Sequence, residues 1–173
     1  MLNNDRGGTF TAFGSSTQPR LALAPGRSPR AVLNGGWWPH SWNPAAELPG
    51  LVAEVVERYG PIRRLMLSSR TWDPCFDRFL VATGTVQIRW FSSADPGLLS
   101  IITEAGDQIN LLIVPPDAPA AAARLALDKA ADPANSLHAA AILATALPPR
   151  QPTDRDGVGG ADDTPPAGPS RSS

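Results

Sequence analysis

Hydrophobic and polar positions alternate along much of the chain from Ile62 onward. The pattern is clearest from Thr85 to Phe91, where Val86, Ile88 and Trp90 share one side and Thr85, Gln87 and Arg89 share the other. This is the two-residue period of a strand with one face in a core. Ile62 to Ser68 and Arg78 to Thr83 keep the same rhythm. Leu98 to Thr103 and Gln108 to Val114 are joined by Glu104-Ala105-Gly106-Asp107, a short polar link that suits a hairpin. The run reads as an antiparallel meander. Gly84 marks either a bulge within one long strand or a tight turn. Two shorter extended segments come first: Arg20 to Ala24, stopped by Pro25-Gly26, and Ala31 to Trp38 around Gly35-Gly36.

Between these segments the spacing lengthens to three and four residues at Leu51, Val52, Val55, Val56 and Tyr59, which predicts an amphipathic helix with Glu54, Glu57 and Arg58 toward water. Its start falls near Pro49, or earlier at Asn43-Pro44 with Pro49 as a kink; Gly60-Pro61 stops it. After Pro115-Pro116 an alanine-rich helix is expected to run to Ala131, with Asp117 as cap and Pro119 in the first turn. Asp132-Pro133 repeats the device for a last helix that contains His138 and ends near Leu147. The expected fold is α+β: a mostly antiparallel sheet of about five to seven strands, one helix inserted early and a C-terminal helical hairpin, with the helices covering one sheet face.

Composition divides the chain into three parts. Residues 1–19 are expected to be disordered and residues 20–147 to form one α+β domain. In residues 148–173, ten Pro or Gly accompany only one branched aliphatic, Val158, so a disordered tail is expected. The opening Met1 to Gln18 lacks a basic start followed by an apolar stretch, so no export leader is expected there. No stretch approaches the roughly 20 apolar residues of a membrane span. Fifteen Lys+Arg against sixteen Asp+Glu leave a formal charge of -1, too weak a field to gather polyanions, so nucleic acid is not an expected main partner. One cysteine makes no internal disulfide, and with two histidines it falls short of a closed zinc site. A reducing cytoplasm, no cofactor and no metal are the expectation.

The order Asn34-Gly-Gly-Trp-Trp-Pro-His-Ser41, Glu47-Leu-Pro-Gly-Leu51, Trp72-Asp-Pro74, Trp90-Phe91 with Asp95-Pro96, Leu111-Leu-Ile-Val-Pro-Pro116 and Ala131-Asp-Pro-Ala-Asn135 resembles an uncharacterised actinobacterial domain family of unknown function. The resemblance spans the body and omits both ends. It implies membership without implying an activity. The fourteen arginines against a single lysine fit a GC-rich coding bias.

The densest aromatic patch is Trp37, Trp38 and Trp42, next to His40 and Ser41. Neighbours in a strand point oppositely, so at most one of Trp37 and Trp38 fills the core directly behind the sheet. Either the other is covered by a second layer, or it stays accessible for stacking on a ring, a sugar or a proline. Trp72-Asp73-Pro74 reads as a turn that Asp73 closes. The catalytic alternative pairs His40 with Asp73 and with Ser41, Ser68 or Ser69, but no G-x-S-x-G elbow accompanies them. Cys75, with no fixed base beside it, reads as an inert thiol. Arg63, Arg64, Gln87, Arg89, Gln108 and Asn110 are polar positions of apolar strands. Aligned, they make a polar sheet face, either simply solvated or able to hold a carboxylate or phosphate through arginine. Gly35-Gly36 and the Gly157 to Gly160 stretch do not make a phosphate loop.

Three functions follow from the residues. The preferred one is a non-enzymatic cytoplasmic interaction or small-ligand binding domain, with Trp37, Trp38, His40, Ser41, Trp72, Asp73, Arg89 and Asn110 as candidate binding residues and no catalytic set. The alternatives are a small enzyme or accessory subunit using His40 with Asp73 or a serine, and a homodimeric structural or regulatory protein.

Overall fold

The computed structural model of the chain describes residues 9–11, 18–26, 31–73 and 75–147. The tail expected from residue 148 lies outside them, as does most of the opening segment. Eight strands and three helices follow in the order β1 (Thr9–Thr11), β2 (Arg20–Leu23), β3 (Gly35–Trp38), α1 (Pro44–Tyr59), β4 (Ile62–Ser68), β5 (Arg78–Val81), β6 (Gly84–Phe91), β7 (Leu98–Thr103), β8 (Gln108–Ile113), α2 (Ala120–Ala131) and α3 (Ala139–Ala146). All strands join one sheet in the order β1-β5-β6-β4-β7-β8-β3-β2, and the fold is α+β. β1 falls within the stretch expected to lack structure and pairs in parallel with β5.

Four pairings are antiparallel and three are parallel, so the sheet is mostly antiparallel as expected, with parallel pairs that a simple meander lacks. β4 takes the place between two hairpins, parallel to β6 and antiparallel to β7. Its Leu65 and Leu67 are fully buried, as a central strand requires. Gly84 pairs with Val81 across a tight turn at φ 132°, and Gly106 at φ 90° closes the β7–β8 hairpin; both are conformations that favour glycine.

The helices cover both faces of the sheet, which corrects the single helical layer expected from the sequence. α1 buries Leu48, Leu51, Val52 and Val55 against Leu65, Leu67, Phe79, Val86, Ile88, Leu99, Ile101, Ile109 and Leu111. Each such side chain contributes roughly 1.5–3 kcal/mol by leaving water. The opposite face carries a smaller cluster, in which Ala123, Ala126, Leu127 and Ala130 of α2 and Ala139 and Ile142 of α3 pack on Leu33, Leu112 and Val114. The helical hairpin thus occupies only the β2-β3-β8 end of its face and the start of β7.

Helix starts have local reasons. α1 begins at Pro44, the earlier of its two expected starts, because the Asn43 side chain accepts from the Ala45 N–H at 3.1 Å, and Pro49 lies inside the helix. Gly60 stops it as expected, donating its N–H to Val56 O at 2.8 Å. α2 begins after Pro119 with no side-chain cap, so Asp117 does not cap it. Two side-chain turns, Asp132 accepting from Ala134 N–H and Asn135 accepting from Leu137 N–H, delay α3 until Ala139. His138 therefore precedes the last helix instead of lying within it.

Candidate functional site

The Gly35-Gly36-Trp37-Trp38 run of β3 is built for close packing on two sides. Gly35, at φ 155°, lies against the β2 backbone at Ala22 and Leu23. A Cβ on Gly36 would come within 2.8 Å of Leu127 Cδ2 and 3.2 Å of Ala130 Cβ, so the missing side chain lets α2 approach the sheet. The tryptophans then diverge. Trp37 is wholly buried under α1, whereas Trp38 packs with the α2–α3 cluster on the other face. Each is covered by its own helical layer.

Trp37 stacks on Trp72, with centroids 5.4 Å apart and planes 10° apart, and Trp42 meets Trp72 edge-on at 5.1 Å. Such pairs are each worth about 0.5–1.5 kcal/mol beyond burial. Asp73 donates its backbone N–H to Trp42 O at 3.2 Å, which ties the turn after β4 to the loop before α1. The Nε1 donors of Trp37 and Trp72 and the Thr71 hydroxyl are buried without an acceptor among the described residues.

Trp38 is held from two sides. Its Nε1 donates to Pro115 O at 3.1 Å, and the Arg20 guanidinium carbon sits 3.5 Å from its ring centroid. Arg20 also donates from Nε to Trp38 O at 3.0 Å and from Nη2 to Pro39 O at 2.8 Å. Burial lowers the Arg20 pKa from its ordinary value, and the charge of Glu47 opposes that shift.

Glu47, in the first turns of α1, is the polar centre of this end of the sheet and is only 9% exposed. It accepts from the His40 backbone N–H at 3.1 Å and from the Ser41 hydroxyl at 3.0 Å, and the His40 Nδ1 lies 3.7 Å away. Ser41 Oγ in turn accepts from Asn43 N–H at 3.3 Å. The carboxylate therefore fixes the loop that enters α1. Sequence reasoning passed over Glu47; its place one turn after the Asn43-Pro44 helix start was the available signal.

A different arrangement occupies the far half of the other sheet face. Strand registers set Arg78 beside Gln87, Gln87 beside Arg64, Arg64 beside Ile102 and Ile102 beside Gln108, and one step along they set Arg89 beside Met66, Met66 beside Ser100 and Ser100 beside Asn110. No described element covers this area. Leu80 and Phe91, on the same side, are 40% and 45% exposed. The side chains of Arg64, Arg78 and Arg89 make no ion pair or hydrogen bond with a described residue, and Arg64 Nε is buried and unpartnered. None of the strand positions that face this side is acidic. Asn110 is engaged within the face: its Oδ1 accepts from Ser100 Oγ at 2.9 Å and Gln108 Nε2 at 3.1 Å.

Residues 20–130 match the model of a family described as a family of unknown function (DUF5994). The chain belongs to that family. Comparison with curated proteins and with solved structures gave no match. In this chain Asn34 to Ser41 is β3 and its exit loop, Glu47 to Leu51 lies in the first half of α1, and Ala131 to Asn135, beyond the matched residues, is the turn between α2 and α3.

The eight candidate binding residues separate into distinct places. Trp37 and Trp72 are stacked in the α1-side core, and Trp38 is clamped under the opposite layer. His40 and Ser41 belong to the Glu47 loop, and the His40 imidazole meets Glu47 and not Asp73. Asp73 joins this end through its backbone alone. Arg89 and Asn110 stand on the half-face that no described element covers, with Arg64, Gln87 and Gln108; Arg63, expected with them, falls at the register shift between Ile62 and Arg64 and has no place in that alignment, whereas Arg78, Met66, Leu80 and Phe91 do. No described helix is long and apolar enough to cross a membrane. No group of three His, Cys, Asp or Glu suited to a metal occurs among the described residues.

Proposed function

We propose that this family domain is a cytoplasmic, non-enzymatic binding domain that holds an anionic partner on the uncovered half of its sheet. One observation supports this reading above the others: three arginines that have no counterion among the described residues, Arg64, Arg78 and Arg89, share a sheet face that no described element covers, beside exposed apolar side chains and with no acidic strand position. A guanidinium offers a planar donor fork that matches a carboxylate or phosphate, and unpaired forks on neighbouring strands are ready to accept one. The aromatic surplus, by contrast, is taken up in packing: Trp37, Trp38 and Trp72 each have a structural role.

Backbone amide shifts of the full chain titrated with a short glutamate oligomer test the proposal. Shifts should map to residues 64, 66, 78, 87 and 89, and Arg64→Gln combined with Arg89→Gln should weaken binding at least about tenfold, since a charge-assisted bond is worth roughly 1.5–3 kcal/mol. Shifts gathered at Trp37 to Trp42, or no shifts at all, would overturn it.

A further inference from the structure

We infer that the partner on this face is an acidic amphipathic helix of another protein, lying beside α3 as the missing part of the second helical layer. The inference rests on the proposed anionic binding face and adds the form and chemistry of what binds there. A helix fits because the region is a side-chain face of a sheet, whose central strands already use their backbone groups in pairing. What such a surface has left to offer is side-chain packing. On the same face α2 and α3 already pack on β2, β3, β8 and the start of β7, with Leu143 and Ala139 against Gly97. From β5 through β6 and β4 to β7 the area that no described element covers is about 14 Å wide at the usual spacing between strands, and a helix with its side chains is roughly 10–12 Å across. One helix completes the layer.

The chemistry of the face specifies the helix. Met66, Leu80, Phe91 and Ile102 supply apolar contacts, and Arg64, Arg78 and Arg89 stand among them, so the matching surface is an apolar stripe flanked by Glu or Asp. A second copy of this chain fits poorly. A two-fold contact through this face would set the arginines of one protomer against those of the other. The chain's own residues 148–173 fit poorly too: Asp154, Asp156, Asp162 and Asp163 are nearly balanced by Arg150, Arg155 and Arg171, and Val158 is the only branched aliphatic. Nucleic acid would satisfy the arginines, yet four apolar side chains among them reduce the match to a phosphate backbone.

The test is a binding series with the full chain and defined probes. These are an 18-residue helical peptide with a leucine stripe flanked by glutamates, a scrambled peptide of the same composition, the stripe peptide with lysines for glutamates, and an 18-nucleotide thymidine oligomer. The Leu/Glu helix should bind at least about tenfold tighter than each of the others, Arg64→Gln with Arg89→Gln should weaken it about tenfold or more, and Leu80→Ser with Phe91→Ser should weaken it several-fold. Equal binding of the scrambled peptide overturns the helix while leaving the anionic face standing. Equal binding of the lysine peptide overturns both. Tighter binding of the oligonucleotide assigns the face to nucleic acid. A full-chain variant carrying Asp154→Asn, Asp156→Asn, Asp162→Asn and Asp163→Asn should bind as the parent does; tighter binding would overturn the proposal in favour of the chain's own acidic segment as the occupant.

Discussion

Arg20 does three things from one position: it stacks on Trp38, donates to Trp38 O and donates to Pro39 O. Arg20→Ala removes all three and should lower stability by about 1–3 kcal/mol in urea unfolding, with Arg20→Lys recovering only part because an ammonium lacks the planar fork. Glu47→Ala leaves the His40 N–H and the Ser41 hydroxyl without their acceptor and should cost a similar amount, about 1–3 kcal/mol. Neither change should alter binding of the Leu/Glu helix, which separates the Trp38 and Glu47 contacts from the binding face. Strand alternation made it legible that Trp37 and Trp38 point oppositely. It could not show that both are covered, because their covers, α1 and α2, come from different parts of the chain. The His40–Glu47 contact was missed for a related reason: His40 and Asp73 are both turn residues, and turn residues give no periodic signal of what they face.

Element by element, strong periodicity was the reliable guide. The β6 alternation, the α1 stripe with its Gly60 stop and the β7–β8 hairpin all appear where the pattern placed them. Helix starts were less legible, because Asx turns at Asp132 and Asn135 competed with helix capping at the same residue types. The sheet order was hidden as well: β4, β5 and β6 share the same two-residue rhythm, so nothing in the pattern distinguishes β4 in the centre from a strand nearer the edge. The contact of β3 with α2 offers a direct check on layer packing. Gly36→Ala places a methyl against Leu127 and Ala130 and should cost roughly 1–3 kcal/mol. Leu127→Ala in the same chain should relieve part of that, giving a favourable coupling of about 0.5–2 kcal/mol in a double-mutant cycle. Strict additivity would mean that α2 does not press on Gly36.

Among the described residues, α1 and the loop carrying Trp72 and Phe76 cover one face of the sheet and α2–α3 cover the other at one end only, and the proposed function follows from that asymmetry. The polar half of this face was visible in the sequence as a set of positions; that α2–α3 stop short of it was not, because helix length alone does not say which strands a helix covers. The parallel pairing of β3 with β8 has a separate consequence, for how the molecule assembles. Gly35 meets Leu111 and Trp37 meets Ile113, so this contact closes most of the domain's length into one loop. The hairpins β5–β6 and β7–β8, by contrast, join neighbours in sequence. Loop-closure entropy favours the local pairs first. In pulse-labelled hydrogen exchange during refolding, amides of β6, β7 and β8 should gain protection before those of β2 and β3, and the stacked tryptophan signal of Trp37 and Trp72 in near-ultraviolet circular dichroism should rise with the later phase. The Gly-Gly-Trp-Trp strand, pressed between two helical layers, would then be among the last elements to reach its place.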